Sequence, residues 1–374
     1  MTTRFPHLRA AVLQHPWAIM PDRLEAIAEV IERRVEGVRL SADEIAGIKG
    51  NREPNGVVAL VDSDALQPAT ADARAESGGA GGPSVIAVIS VFGIIAQHAR
   101  QVDDISGPGG TSTERVLSSF RSAMNDPTVK AIVLNIDSPG GNVNGVQVLA
   151  DEIFNSRGQK PVVAQVNSLA ASAAYWIACA CDEIVVTPGG QVGSIGVYSL
   201  HRDVSKAAEM EGFKFTFISA GKYKVEGNQF EPLNDESSKA IQDQIDAYYS
   251  DFTTAVARGR GVELAEVVGG FGQGRTEKDK KAVKAGMADR VATMDDTLRK
   301  LAAAKKPTGP KAETINEPRV DVDLEVPPGQ AETDKTAEPA DEVSKTEAEA
   351  LASQAAADRD AFRRRRHAAR ARGA

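Results

Sequence analysis

The sequence predicts an α/β protein whose core is a succession of βαβ units, and three observations carry that expectation. From Val85 onward, short β-branched runs (VIAVISVFG, AIVLNI, PVVAQV, EIVVT) alternate with stretches of helical periodicity (STERVLSSFRSAM, VNGVQVLADEIFNS). Such alternation is the pattern of right-handed crossovers between strands of one sheet. A long amphipathic helix is expected over residues 235–258, where Ile241, Ile245, Tyr248, Phe252 and Val256 recur at helical spacing. Composition then breaks near residue 80 and again near 303, which confines the α/β core to the middle of the chain.

Ahead of the core, Leu24, Ile27, Ile31 and Val35 fall at helical spacing among charged residues, and Gly37 can end that helix. The segment from Val57 to Pro83 is rich in Ala, Gly, Ser and Asp and ends in ESGGAGGPS, which is linker composition. Residues 1–80 are therefore expected to form a helical extension and linker, and residues 81–303 the main domain. Residues 304–343 lack the apolar content to offset the entropy of ordering and are expected to be an acidic disordered linker. Residues 344–374 regain helix propensity and end in an arginine cluster, Arg363 to Arg366. That end reads equally as a solvated terminus or as a docking helix.

With 374 residues, a net charge of −8 and a pI near 5.4, the chain lacks the basic face of a general nucleic-acid binder. The N-terminal stretch MTTRFPHLRAAVLQHPWAIMPDRLEAI has no apolar run long enough for a signal-peptide core or a membrane span, so no membrane partner is expected. Cys179 and Cys181 are too close in sequence to close a useful loop and are expected to stay reduced. No Cys or His cluster completes a metal site around them.

The chemistry concentrates in three segments. In NSLAASAAYW, Ser172 stands among alanines at an expected helix start, where small neighbours allow close approach of a substrate backbone. A helix N-terminus also favours the negative charge that develops in acyl transfer. A serine in such a place is more often a cap. Upstream, an apolar strand runs into Ser138-Pro139-Gly140-Gly141, whose paired glycines free backbone N–H groups to face a ligand, an oxyanion hole in outline. Downstream, ISAGKYKVEG places Lys224 just after an expected strand. A lysine serves as a base when burial or a nearby positive charge keeps it neutral. Lys222 is its competitor, pointing the opposite way if the segment is extended. Asp137 reads as a turn residue, and His7, His15, His98, His201 and His367 are too scattered to suggest a histidine triad.

Taken together, Ser138-Pro-Gly-Gly, AASAAYW, GSIGV and GKYK occur in the order and rough spacing of the SppA-type serine peptidases, and the chain resembles that family over about residues 83–295. The resemblance implies the ClpP/crotonase fold, with Ser172 as nucleophile, Lys224 as general base and Ser194 as the hydroxyl that holds the lysine. It also implies oxyanion amides from Ala173 and from Gly140 or Gly141, which the sequence does not separate. Where the family commonly has Ser-Gly-Gly, this chain has Ser172-Ala173-Ala174, and its closing turn reads Gly286-Met287-Ala288-Asp289.

The segment PWAIMPDRLEAI, the missing anchor and the long tail further resemble the phage prohead proteases of the lambda C type. That likeness implies an endopeptidase acting on scaffold or capsid proteins, and on its own tail within 304–343. It places the enzyme in the host cytoplasm or prohead, as a homo-oligomer, with the basic C-terminal helix free to dock on coat or portal. No metal, nucleotide or organic cofactor is implied. The alternatives are a soluble SppA-like peptidase that degrades peptides, a scaffold protein with a vestigial protease domain, and a crotonase-type acyl-CoA enzyme.

Overall fold

The computed structural model describes residues 16–20, 56, 58–63, 66–67, 84–98 and 110–304. The helix expected at 21–36, most of the linker and the tail beyond Ala304 lie outside the described residues. In chain order the small opening strands are β1 (Trp17–Ile19) and β2 (Val58–Asp62), followed by β3 (Val85–Phe92), β4 (Ile95–Ala96) and β5 (Thr111–Ser112). Helix α1 (Thr113–Asn125) leads to β6 (Val129–Ser138) and β7 (Gly140–Asn142), and α2 (Val146–Asn155) leads to β8 (Val162–Ala171). Next come α3 (Ala173–Cys179), β9 (Glu183–Val186), β10 (Gln191–Gly193), α4 (Ser205–Met210) and the long α5 (Asp235–Arg260). The described part closes with α6 (Leu264–Gly270), β11 (Thr276–Lys278), α7 (Asp279–Lys284), β12 (Arg290–Val291) and α8 (Met294–Ala303).

The expected α/β core is what these elements build. Strands β3, β6 and β8 lie parallel and adjacent, and β9 and β10 both continue from β8, also in parallel. Parallel strands need long crossovers, and α1 and α2 supply them, with Ser112 capping α1 through the Arg115 amide at 3.3 Å. The central strands are apolar on both faces because both are covered. Ala87, Ile89, Ile132, Leu134 and Ile136 face the main core with Phe120 and Leu149. The alternate residues Ile86, Ala131 and Val133 meet Leu301 of α8 on the other side.

Two strands fall outside the core predicted from the sequence. Val58–Asp62, inside the stretch expected as linker, pairs antiparallel with β3 as the edge of the large sheet. Trp17–Ile19 pairs with β7 in a second, smaller sheet ordered β1-β7-β4-β5. A third correction concerns the strand expected before Lys224: residues 213–219 form no strand in the structure. Periodicity misled there because alternating phenylalanines read as a half-buried strand, whereas Phe213, Phe215 and Phe217 are exposed.

The junction that matters for the site is a break in β8. Its first half pairs with β6 and β9, but between Val166 and Ala170 it carries two more residues than β6 does between Ile136 and Ser138. The extra length swings the end of β8 beside β10, so that Ala171 lies opposite Gly193. Behind it, the closing turn locks the helices. Tyr175 Oη donates to Met287 O at 2.8 Å, and Asp289 accepts the Ile184 amide at 2.6 Å together with a two-pronged bond from Arg260 at 2.8 and 3.0 Å. Burial alone would raise the Asp289 carboxyl, but the Arg260 hydrogen bonds and the Ile184 amide outweigh it and hold it below the usual carboxylate range.

The Arg260 side chain is 9% exposed and that of Asp289 36%, so the pair sits between a surface and a buried bridge. Asp289→Asn is expected to cost about 2 kcal/mol, read as a lower urea midpoint at neutral pH. Because the carboxyl is depressed in the folded protein, its contribution is full above the unfolded value near ~3.9. It is lost as pH falls through the lower folded value, and the gap between wild type and Asp289→Asn should shrink as pH falls below about 4. A gap independent of pH down to acid unfolding would refute this account.

Candidate active site

Only one residue, Ser172, separates β8 from α3. So short a strand-to-helix turn forces the backbone out of the common regions, and Ser172 stands at φ 56°, ψ −120°. Holding a residue with a Cβ there costs about 1–3 kcal/mol, so its surroundings must impose it. They do so through the Ser172 amide, which donates to Gly193 O at 2.7 Å, and through Ser172 O, which accepts the Trp176 amide at 3.0 Å. The hydroxyl makes no capping bond to α3 and donates instead to Gly196 O at 3.3 Å. The ordinary role of a serine at a helix start is therefore absent. A strained turn that aims Oγ away from its own helix is the geometry of a nucleophile elbow.

Ser194 leaves β10 beside it. Ser194 also has positive φ, at 54°, and its amide donates to Arg275 O at 2.9 Å. Both serines are buried, Ser172 at 1% exposure. Two non-glycine residues in the left-handed region at the ends of paired strands mark where the fold tolerates strain.

The Ser138–Gly141 turn closes the third side. Ser138 Oγ donates to Gly93 O at 2.6 Å and accepts the Gly140 amide at 3.1 Å, which shapes the turn from within. Gly140, at φ 98°, has no room for a side chain: a methyl there would stand 2.2 Å from Ala18 O and 2.9 Å from both Ala171 O and Ser172 Cβ. On Gly141 it would stand 1.9 Å from Ile95 O. Of the amides expected to stabilise an oxyanion, that of Gly140 is thus occupied by Ser138. Gly141 lies in β7 opposite Ala18 and Ile95, and Ala173, the first residue of α3, has an amide without an intrahelical acceptor.

Among the described residues Lys224 makes no hydrogen bond to Ser172 or Ser194. Lys224 is exposed in a turn, its backbone amide donates to Gly221 O at 3.1 Å, and its ammonium makes no hydrogen bond or ion pair among the described residues. Lys222 differs: its ammonium binds Glu236 at 2.7 Å and Tyr223 Oη at 2.9 Å, and the Glu236 bond holds it above its ordinary value. Of the histidines, His98 meets Glu114 at 3.0 Å and His201 meets Asn228 O at 3.1 Å. Burial pushes the Cys179 thiol up to about 12 and that of Cys181 higher, so both stay neutral in the core. Among the described residues no group of three or more His, Cys, Asp or Glu is placed to hold a metal, and no helix is long and apolar enough to cross a membrane.

Sequence reasoning missed β1 and the carbonyls of Gly193, Gly196 and Arg275 that hold the two serines. Carbonyl acceptors leave no trace in side-chain identity. For β1 a signal existed, since Pro16 and Pro21 bracket Trp-Ala-Ile-Met and disfavour a helix there.

A strained serine on a strand-to-helix turn, with the Ala173 amide next to it at the start of α3, is an arrangement suited to acyl transfer. Residues 155–307 match peptidase family S49, and the SppA-type resemblance of the motifs holds. Over 219 residues the chain is 34% identical to the head-tail preconnector protein GP5 of Enterobacteria phage P21, covering 59% of this chain and 43% of that protein. Over 213 residues it is 32% identical to capsid assembly protease C of Escherichia phage lambda, covering 57% and 48%. The chain thus spans about half the length of these curated relatives or less. Among solved structures, an enoyl-CoA hydratase/isomerase family protein from Silicibacter pomeroyi matches at 13% identity with a TM-score of 0.36, over 59% of this chain and 80% of that one.

If the backbone at Ser172 is strained as described, Ser172→Gly should raise stability over Ser172→Ala by about 1 kcal/mol, a few degrees in Tm. Thermal unfolding of the two variants checks this, and an equal or lower Tm for the glycine variant would contradict it. Gly140→Ala should lose at least as much as a disrupted core site, about 2 kcal/mol or more, in the same assay.

Proposed function

We propose that the chain is a serine endopeptidase with a Ser172–Lys224 dyad, in which the lysine acts across a contact between protomers. The observation that carries the reading is the Ser172 turn, whose strained backbone holds a buried hydroxyl that makes no capping bond. Cross-protomer supply of the base is supported by the exposure of Lys224 on a segment that also exposes Phe213, Phe215, Phe217 and Ile218. Such an apolar stretch suits an interface. Burial there would meet the condition for a neutral amine.

In the proposed reaction Lys224 Nζ takes the Ser172 proton as Oγ attacks the peptide carbonyl. The oxyanion then receives the Ala173 amide and that of Gly141. The protonated lysine returns its proton to the leaving amine, and water, deprotonated by the same lysine, hydrolyses the acyl-enzyme. Ser194, beside Ser172, serves to orient the lysine. The phage relatives are named for head-tail connection and capsid assembly, which supports protein substrates in a growing phage head. Scaffold protein and the 304–343 segment are the proposed targets, within the prohead in the host cytoplasm. The basic tail from 344 is proposed to dock on coat or portal.

Cleavage of an unfolded protein by the wild type should fall by at least about a thousandfold in Ser172→Ala and Lys224→Ala. Lys222→Ala should retain it. Mixing the two inactive variants should restore part of the activity, because mixed assemblies contain sites with both groups intact. Activity that survives Ser172→Ala would favour acyl-CoA chemistry of the crotonase type, and no recovery on mixing would return the lysine to its own protomer.

A further inference from the structure

The chain's own N-terminal strand β1 lies beside Ser172. β1 runs antiparallel to β7 with Ile19 opposite Gly140, Ala18 opposite Gly141 and Trp17 opposite Asn142, and the Met20 amide donates to Pro139 O at 3.1 Å. Its other edge is held as well: the Trp17 amide donates to Tyr198 O at 2.8 Å, and the Tyr198 amide to Trp17 O at 3.0 Å. A three-residue strand is thus clasped between the two segments that build the site, the Ser138–Gly141 turn and the stretch that follows Ser194. Its carbonyl at Ala18 and the Ser172 side chain meet at the same missing Cβ of Gly140. Trp17, Ala18 and Ile19 are all buried, and so is Ser172.

Backbone pairing on both edges is how an extended peptide is gripped without regard to most of its side chains. A three-residue strand held by a few such bonds, remote in sequence from everything it touches, is also among the cheapest parts of a fold to displace. We propose that Trp17–Ile19 is an internal substrate mimic that occupies the extended-peptide groove and covers Ser172 until a peptide displaces it. The inference rests on the serine-peptidase reading above and adds that the site is held closed by the chain's own N-terminal strand. It also states a substrate class: extended, uncharged segments with a small side chain at the position of Ala18, which is fully buried against β7.

The test uses the full chain carrying Ala18→Asp, which sets a charge in that buried position, and separately Trp17→Pro, which removes one donor to Tyr198. Two readouts are taken. One is cleavage of a labelled unfolded protein in the Ser172 background. The other is alkylation by iodoacetamide of a Ser172→Cys background, which measures access to the position without requiring catalysis, with the Ser172 chain as control for Cys179 and Cys181. Both substitutions are expected to raise alkylation and cleavage by about tenfold, the factor that two or so backbone hydrogen bonds represent. A synthetic peptide of residues 14–21 should inhibit the two variants at lower concentration than the wild type. Unchanged alkylation would overturn the proposal. So would faster alkylation with weaker cleavage, which would make β1 a part of the site instead of its occupant. Faster alkylation with no cleavage by any form would remove the peptidase reading, and the mimic with it.

Discussion

The backbone of Ser172 is the constraint on which the rest depends. A residue with a side chain is held at positive φ because β8 ends one residue before α3 begins, and because the Gly193 carbonyl takes its amide. Release either, and the turn relaxes toward an ordinary helix start whose serine would bond to its own helix. The two-residue break in β8, the parallel pairing with β10 and the side-chain-free surface of Gly140 are three ways of enforcing one conformation. None of them contributes chemistry. Together they decide where a hydroxyl points.

The enforcement comes from far along the chain. Arg260 at the end of α5 and Asp289 after α7 meet at the Ile184 amide of β9, while Tyr175 of α3 reaches the Met287 carbonyl. The helix that follows the serine is thereby anchored to a segment more than a hundred residues later. Arg157 adds a second anchor, since its guanidinium donates to the carbonyls of Cys179, Ala180 and Gly259. Trp176 stacks on Phe252 at 4.7 Å, which completes the contact of α3 with α5. The strained turn thus leads into a helix that is buried along its whole length, as it must if the strain is to persist.

What could be read from the sequence was what is local. Val85, Ile132, Val163 and their neighbours announce strands by β-branching, and the Ser138–Gly141 and Ser172 segments announce chemistry because glycine and alanine at those positions have steric reasons visible in one dimension. What could not be read was pairing between distant segments. β1 and β2 are short, and each is fixed as a strand by a partner distant in sequence, β7 and β3. Lys224 was legible as a residue type, and the strand expected before it is absent because its alternating aromatics face outward. The partner of Lys222, Glu236 fourteen residues on, is likewise one that no spacing rule would have supplied.

The exposed aromatic segment from Phe213 to Lys224 has a consequence for when such a molecule works. On the proposed sharing of nucleophile and base between two copies, turnover is a second-order matter: dilute copies are silent, and crowded ones are not. Chemistry of that kind is timed by confinement, and a closed shell that gathers many copies into a small volume would start the clock without any messenger.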